Sequence, residues 1–86
     1  MNEAQLVDVV ETKRGSTEYR IWTIGITEDP ARRREEHENE RHDVRFWKDW
    51  RADSESIARN VEKHFLDKGM KGGGGGGKSP NYVYIF

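Results

Sequence analysis

The sequence predicts a small α/β domain of the α+β class, with a three-stranded antiparallel sheet flanked by two helices. The predicted order is β-β-α-β-α, followed by a short strand-like tail. Segments rich in β-branched and aromatic residues alternate along the chain with polar segments that begin with helix-capping residues. A chain of 86 residues is long enough for one domain with a thin core, so we expect residues 1–86 to fold as a single unit.

The composition excludes several classes of protein. The chain has no cysteine, which excludes disulfide-stapled scaffolds and thiolate metal sites. It has neither an apolar run near the ~20 residues of a membrane span nor a signal-peptide pattern, so we expect a cytoplasmic protein without a membrane partner. The formal net charge of -1 argues against a DNA-binding protein that relies on its overall charge.

The first part of the chain predicts a β-hairpin. Residues 5–13 mix Leu and Val with polar residues, and a turn-forming stretch separates them from a second strand at residues 19–26. The two-residue period of that strand places Tyr19, Thr23 and Gly25 on one face. The other face, which we expect to meet the core, carries three large apolar residues: Trp22, Ile24 and Ile26.

Asp29 and Pro30 predict the start of the first helix, since Asp accepts free N–H groups at a helix cap and Pro suits the first helical position. We expect this helix to end near Asn39 or Arg41. Its residues are nearly all polar, and one interpretation is a solvated helix in which glutamates pair with three arginines: Arg32, Arg33 and Arg34.

The rest of the chain predicts a third strand, a second helix and a tail. Residues 44–50 alternate as a strand does. The second helix is capped by Asp53 or Ser54 and closes at Gly69, where a left-handed residue ends a helix. Residues 71–79 contain six consecutive glycines, for which we expect a flexible loop, and a β-forming tail follows.

Arg33 and Glu62 are the candidates for chemistry. A guanidinium near the start of a helix beside a sheet offers paired donors to a phosphate. A single carboxylate can anchor Mg²⁺ when water and substrate phosphate complete the shell. Ion pairing of Arg33 on a solvated helix face, and a plain surface position for Glu62, are the open alternatives. The spacing of the histidines His37, His42 and His64 is not that of a zinc site.

The segment from Thr23 to Arg34, T-I-G-I-T-E-D-P-A-R-R-R, resembles the second motif of GIY-YIG endonuclease domains. In that motif a strand ending in Tyr-Ile/Val-Gly precedes a short turn and a helix with a catalytic arginine. Counting from Gly25, Arg33 matches this arginine. The first motif is not recognisable, and Thr23 stands where the second motif has its tyrosine.

Two later stretches also resemble the family. Ala58-Arg59-Asn60-Val61-Glu62 is similar to the helix that carries the metal-binding glutamate, and Pro80-Asn81 resembles the proline and asparagine that follow it. The resemblance implies Mg²⁺-assisted phosphodiester cleavage of DNA or RNA, with Glu62 holding the metal and Arg33 stabilising the phosphate. Lys63 and Asn81 are further expected contacts to nucleic acid.

The family's tyrosines are implicated in activating or orienting the water, so the resemblance leaves this role to Thr23 and to Tyr19, which shares its predicted face. The missing motif tyrosines also favour a second function. In that alternative the domain is a non-catalytic module that retains the fold and binds nucleic acid or a protein partner.

Overall fold

The computed structural model describes residues 1–74 and 77–86. In these two ranges three helices and four strands follow one another: α1 (Glu3–Arg14), β1 (Thr23–Thr27), α2 (Pro30–Asn39), β2 (Lys48–Arg51), α3 (Glu55–Lys68), β3 (Lys71–Gly72) and β4 (Tyr82–Ile85). A short 3₁₀ turn, Tyr19–Ile21, leads into β1. Across the described residues, none of the helices is both long enough and apolar enough to cross a membrane.

The strands form one mixed sheet in the order β2-β4-β1-β3. β4 is antiparallel to both β1 and β2, whereas β1 and β3 are parallel. The predicted α+β class is confirmed, but the predicted three-stranded antiparallel sheet and its order are wrong. The tail pairs with two strands as β4, and the glycine segment begins with the two-residue β3. Of the loop expected at residues 71–79, Gly75 and Gly76 lie outside the described residues.

The predicted hairpin at the start of the chain is wrong, because its first strand is helix α1. Asn2 and Gln5 form a reciprocal capping box, in which each side chain accepts the backbone N–H of the other residue. Leu6 and Val10 lie one turn apart and are both 0% exposed. Valine costs at most about 0.7 kcal/mol in a helix, so the cap and the burial of one helix face outweigh its strand preference.

Two strand boundaries also differ from the prediction. Tyr19 lies in the 3₁₀ turn, and β1 begins only at Thr23. The backbone N–H of Trp47 donates to the carbonyl of Val44, so the start of the predicted third strand is a turn, and β2 covers Lys48–Arg51 alone.

Both predicted helices are present as α2 and α3. The Asp29 side chain accepts a backbone N–H of the first turn of α2, and Pro30 is the first residue of that helix. Ser54 caps α3 in the same way, and Gly69 ends it with a φ of 117°. These signals depend on local geometry alone, which explains why the sequence predicts these two helices well.

The core lies between one face of the sheet and helices α1 and α3. The predicted core face of β1 is confirmed, since its apolar residues and Trp22 belong to the buried cluster. Helix α2 lies against the opposite face of the sheet, where Arg33 and His37 contact Tyr84 of β4. The buried members of the core cluster are Leu6, Val10, Trp22, Ile24, Ile26, Ala52, Ala58, Val61, Phe65, Met70, Val83 and Ile85.

Candidate functional site

Tyr84 occupies the centre of the sheet face that α2 covers. Along β4 the side chains alternate, so Val83 and Ile85 enter the core and Tyr84 points to the other face. Tyr84 pairs in register with Gly25 and is 0% exposed. Its ring lies so close to the backbone that an added Cβ at Gly25 would be within 2.2 Å of the hydroxyl oxygen, and one at Gly73 within 2.4 Å. The two glycines therefore make room for the tyrosine ring.

The Tyr84 hydroxyl joins Arg33 to His37. Arg33 Nε lies 3.3 Å from the hydroxyl oxygen and can only donate to it. His37 Nε2 lies 2.9 Å from the same oxygen, so we assign it as the acceptor of the phenol proton. The His37 proton is then on Nδ1, which faces His42 Nδ1 at 2.9 Å. A chain of hydrogen bonds thus runs from the partly buried Arg33 to the exposed His42.

Arg33 is held at three points. Its Nη2 donates to the carbonyl of Gly73, its Nη1 donates to Glu36 Oε1 at 3.0 Å, and its Nε donates to Tyr84. The side chain is 18% exposed. Desolvation works against the charged form, but the hydrogen bonds to Tyr84 and Glu36 leave the pKa of Arg33 above its ordinary value. The guanidinium is therefore fixed and permanently charged.

Glu62 is a half-buried carboxylate on α3. Desolvation raises its pKa, against the smaller opposing effect of the Arg59 charge. Burial likewise raises the pKa of Tyr84; Arg33 lowers it, and the negative charge of Glu62 adds to the rise. Arg33 contacts this phenol by a hydrogen bond, whereas none of the hydrogen bonds among the described residues joins Glu62 to it. In residues 1–74 and 77–86, Glu62 takes part in no ion pair.

The described residues contain no group of three or more His, Asp or Glu side chains that could hold a metal ion. A metal at Glu62 would therefore be held by one protein carboxylate, with its remaining ligands from water and substrate. This arrangement fits Mg²⁺, which commonly keeps several waters, and it does not fit zinc, which requires several protein ligands.

A cleft of about 650 Å³ opens beside Arg33, between the end of α2 and the edge of the sheet at β3. Thr23, a predicted site residue, lines this cleft together with Gly73, whose carbonyl accepts the hydrogen bond from Arg33. The cleft and the fixed guanidinium are therefore adjacent.

Tyr19 lies apart from this site, contrary to the prediction that it shares a strand face with Thr23. Its hydroxyl donates to Glu11 Oε2 at 2.8 Å, and the guanidinium of Arg14 lies 3.9 Å from the centre of its ring. Its ring centre is 6.4 Å from that of Phe65 in the core. Because the residue precedes β1 in a 3₁₀ turn, the strand alternation does not extend to it.

The predicted nucleic-acid contacts, Lys63 and Asn81, have separate surroundings. Lys63 is exposed on α3 and pairs with Asp67 at 3.1 Å. Asn81 precedes β4, where its carbonyl accepts the backbone N–H of Ala52 at 2.7 Å. The structure thus groups Arg33, His37 and Gly25 around Tyr84, gives no contact between Glu62 and this group among the described residues, and leaves Lys63 exposed on α3.

Sequence reasoning missed Tyr84, His37 and Gly73 as members of the site. The four-residue spacing from Arg33 to His37 places both on one face of a helix, and the alternation of β4 places Tyr84 opposite the core, so both signals were present. Gly73 gave no signal of its own, because it lies within a run of identical residues.

No family model, curated protein or solved structure matches the chain.

Proposed function

We propose that this domain is a GIY-YIG-like nuclease that hydrolyses phosphodiester bonds of DNA or RNA with the help of Mg²⁺. One observation carries the proposal: Tyr84, Glu36 and Gly73 hold the guanidinium of Arg33 in place beside the cleft, and Glu62 on α3 is a half-buried carboxylate without an ion-pair partner among the described residues. Hydrolysis of a phosphodiester requires a cation for the phosphate charge and an anchor for the metal. Arg33 and Glu62 supply them.

Arg33 stabilises the phosphate. A guanidinium has about five N–H donors, and the described contacts of Arg33 use its Nε and one donor on each terminal nitrogen. One donor on each terminal nitrogen is left for a pair of phosphate oxygens, which is the bidentate geometry that arginine prefers. Because Tyr84, Glu36 and Gly73 hold the side chain in place, little reorganisation is needed as charge develops on the phosphate.

Glu62 holds the metal. Its half-burial weakens competition from bulk water, and the described residues give it no ion-pair partner, so its charge is available to a cation. When bound, Mg²⁺ supplies Lewis-acid activation of the phosphate and of an attacking water. Tyr84 acts as a positioning residue, because its fully buried hydroxyl orients Arg33 and His37 rather than contacting substrate.

The burial of Tyr84 also favours a second candidate function, a non-catalytic module that binds nucleic acid or a protein partner through the same face. The phenol is engaged on both sides by Arg33 and His37, and Thr23 offers only an aliphatic hydroxyl of high pKa. In this alternative Arg33 binds a phosphate or a carboxylate without any subsequent chemistry.

A cleavage assay distinguishes the two functions. The full chain is incubated with labelled single-stranded, duplex and branched DNA and RNA, in Mg²⁺ or in EDTA. We expect cleavage only in Mg²⁺, and a rate at least about a hundredfold lower in Arg33→Lys and Glu62→Gln, since each removes a group that stabilises the transition state. The matched control is Glu38→Gln, which changes an exposed glutamate on α2 and keeps the wild-type rate.

The result of the cleavage assay decides between the two functions. Cleavage that Glu62→Gln leaves unchanged would contradict the proposed role of the carboxylate. Salt-sensitive binding without cleavage of any substrate would support the non-catalytic nucleic-acid module. If no oligonucleotide binds at low salt, the result would favour the form of the second candidate that binds a protein.

A further inference from the structure

We propose that the cleft beside Arg33 binds one unpaired nucleotide of a single-stranded nucleic acid. This inference rests on the proposed function, because it names the form of substrate that would reach Arg33. The nucleotide cleft is defined by Thr23, Arg41, His42, Lys71 and Phe86, and its volume is about 650 Å³. Sites for small organic ligands commonly measure about 300 to 1,000 Å³, so a nucleotide fits this volume.

The nucleotide cleft carries cations suited to a phosphate. Arg41 follows α2 and Lys71 begins β3, so they approach the cleft from two sides, and neither joins an ion pair between described residues. Of the two acids in the cleft walls, Asp43 is neutralised by Arg45 at 2.8 Å. Glu40 is the second acid, so Arg41, Lys71 and the adjacent Arg45 together exceed the two acids by one charge.

Arg41 adopts a backbone conformation that favours glycine. Its φ is 67°, and it is the only residue besides glycine with a positive φ in the part of the chain that the structure describes. The N–H of Arg41 donates to the carbonyl of Glu38 at 2.9 Å, and the N–H of His42 donates to that of His37 at 3.0 Å. This pattern is a Schellman motif, in which glycine normally occupies the position of Arg41. A strained arginine at the mouth of a cleft points to a role for its side chain.

Phe86 and His42 give the nucleotide cleft an aromatic wall. Their ring centres are 5.6 Å apart and the planes are inclined by 25°. His42 is exposed and Phe86 is half-buried, so both have surface available to the cleft. Flat aromatic surfaces bind nucleobases by stacking, and a base can stack on protein only when its face is not covered by its neighbours in a duplex. The wall therefore selects unpaired nucleotides.

Gly73 connects the nucleotide cleft to the fixed guanidinium. It lines the cleft, and its carbonyl accepts a hydrogen bond from Arg33. A strand with one base against Phe86 would therefore bring a phosphate of the same or the next nucleotide towards Arg33. This places unpaired nucleotides beside the site where hydrolysis is proposed.

Fluorescence anisotropy of the full chain tests the inference without requiring cleavage. The probes are labelled oligonucleotides of about ten nucleotides, a length within the range of single-strand sites, as DNA and as RNA of one sequence, together with the matching duplexes. EDTA is present throughout. We expect single strands to bind more tightly than duplexes, and the DNA and RNA arms to show which sugar is preferred.

Two variants remove the two kinds of contact. Arg41→Gly should be at least as stable as the wild type, because glycine accepts the positive φ without strain, yet it should bind single strands more weakly. The slope of log affinity against log salt should fall by about 0.7, as expected for one phosphate contact to a single strand. Phe86→Leu keeps apolar volume and should weaken binding roughly tenfold through the loss of one stacked base. Arg34→Ala is the control on the outer face of α2.

Wild-type affinity in both Arg41→Gly and Phe86→Leu, or equal affinity for duplex and single strand, would overturn the inference. These outcomes are distinguishable from failure of the proposed function. Single-strand binding that is lost as expected in both variants, without cleavage in Mg²⁺, would support the nucleotide cleft and reject hydrolysis. Cleavage in Mg²⁺ together with unchanged single-strand affinity in both variants would support hydrolysis and reject the nucleotide cleft.

Discussion

Replacing Gly25 by alanine tests whether the ring of Tyr84 requires a strand position without a side chain. The added Cβ would lie 2.2 Å from the Tyr84 hydroxyl oxygen, 2.4 Å from Cζ and 2.8 Å from Cε2. The ring cannot retreat easily, because the ring of Trp47 stacks on it at 4.4 Å and Arg33 and His37 hold its hydroxyl. We therefore expect Gly25→Ala to destabilise the fold strongly.

The magnitude follows from two contributions. Forcing a methyl group into a packed site costs about 1–3 kcal/mol, and displacing a buried hydroxyl from its partners costs about 1–3 kcal/mol more. A chain of 86 residues has a free energy of unfolding of about 4 to 13 kcal/mol. Gly25→Ala should therefore remove a large share of the stability, and urea unfolding followed by tryptophan fluorescence measures the loss.

A second background makes the test specific. Leucine lacks the three tyrosine atoms that the added Cβ would meet, so the clash disappears in Tyr84→Leu. In that background Gly25→Ala should stabilise by about 0.5–1 kcal/mol, because glycine is unfavourable in a strand. The sign of the effect should thus reverse between the two backgrounds. An equal loss of stability in both would refute the reasoning.

Neighbouring glycines supply a control that does not require a change at Tyr84. A Cβ at Gly73 would lie 2.4 Å from the same hydroxyl oxygen, whereas one at Gly72 would meet only Leu66 Cδ2, at 3.6 Å. Gly73→Ala should resemble Gly25→Ala, and Gly72→Ala should be nearly neutral. If the two neighbours lose the same stability, the tyrosine ring is not the cause.

Three further predictions concern titration and capping. Desolvation, together with the charges of Arg33 and His42, lowers the pKa of His37 below its ordinary value of 6.5. As the pH drops, the unfolded chain therefore binds this proton before the folded chain does, and stability should fall below pH 6.5. Urea midpoints measured against pH should lose this dependence in His37→Gln. Desolvation raises the pKa of Glu62 above its ordinary value of 4.5, so as the pH rises the folded chain loses this proton at a higher pH than the unfolded chain does. The charged carboxylate therefore lowers stability above pH 4.5. Glu62→Gln removes this cost, and its gain in urea midpoint should grow as the pH rises above 4.5. Ser54→Ala should cost about 1 kcal/mol by thermal unfolding, since it removes the cap of α3; no loss would contradict that role.

The sequence predicted those elements whose signals are local. Asp29, Ser54 and Gly69 mark helix ends by hydrogen bonds and backbone angles within a few residues, and the structure has these ends where expected. Helix α1 was missed for a related reason. Its valines suggested a strand, whereas the competing capping box of Asn2 and Gln5 was equally local and decided the outcome.

The site was only partly predictable because it joins distant parts of the chain. The spacing from Gly25 to Arg33 lies within one strand-turn-helix unit and could be read directly. The pairing of Gly25 with Tyr84 depends on which strands become neighbours in the sheet. Local sequence patterns do not predict this neighbour relation. The sequence favours Tyr19 over Tyr84 for this reason, because Tyr19 continues the predicted strand, whereas β1 begins only at Thr23.

The position of β4 between β1 and β2 has a consequence for synthesis. This central strand follows the other three strands in the chain, and until it emerges from the ribosome β1 can pair only with the two residues of β3 among the described strands. Most of the sheet therefore cannot form until residues 82–85 have been synthesised. Pairing between strands that are far apart in the sequence is slow. A transcript truncated a few codons before Tyr82 would yield a chain with helices but without the strand that joins the sheet, and such a product is a natural target for proteolysis.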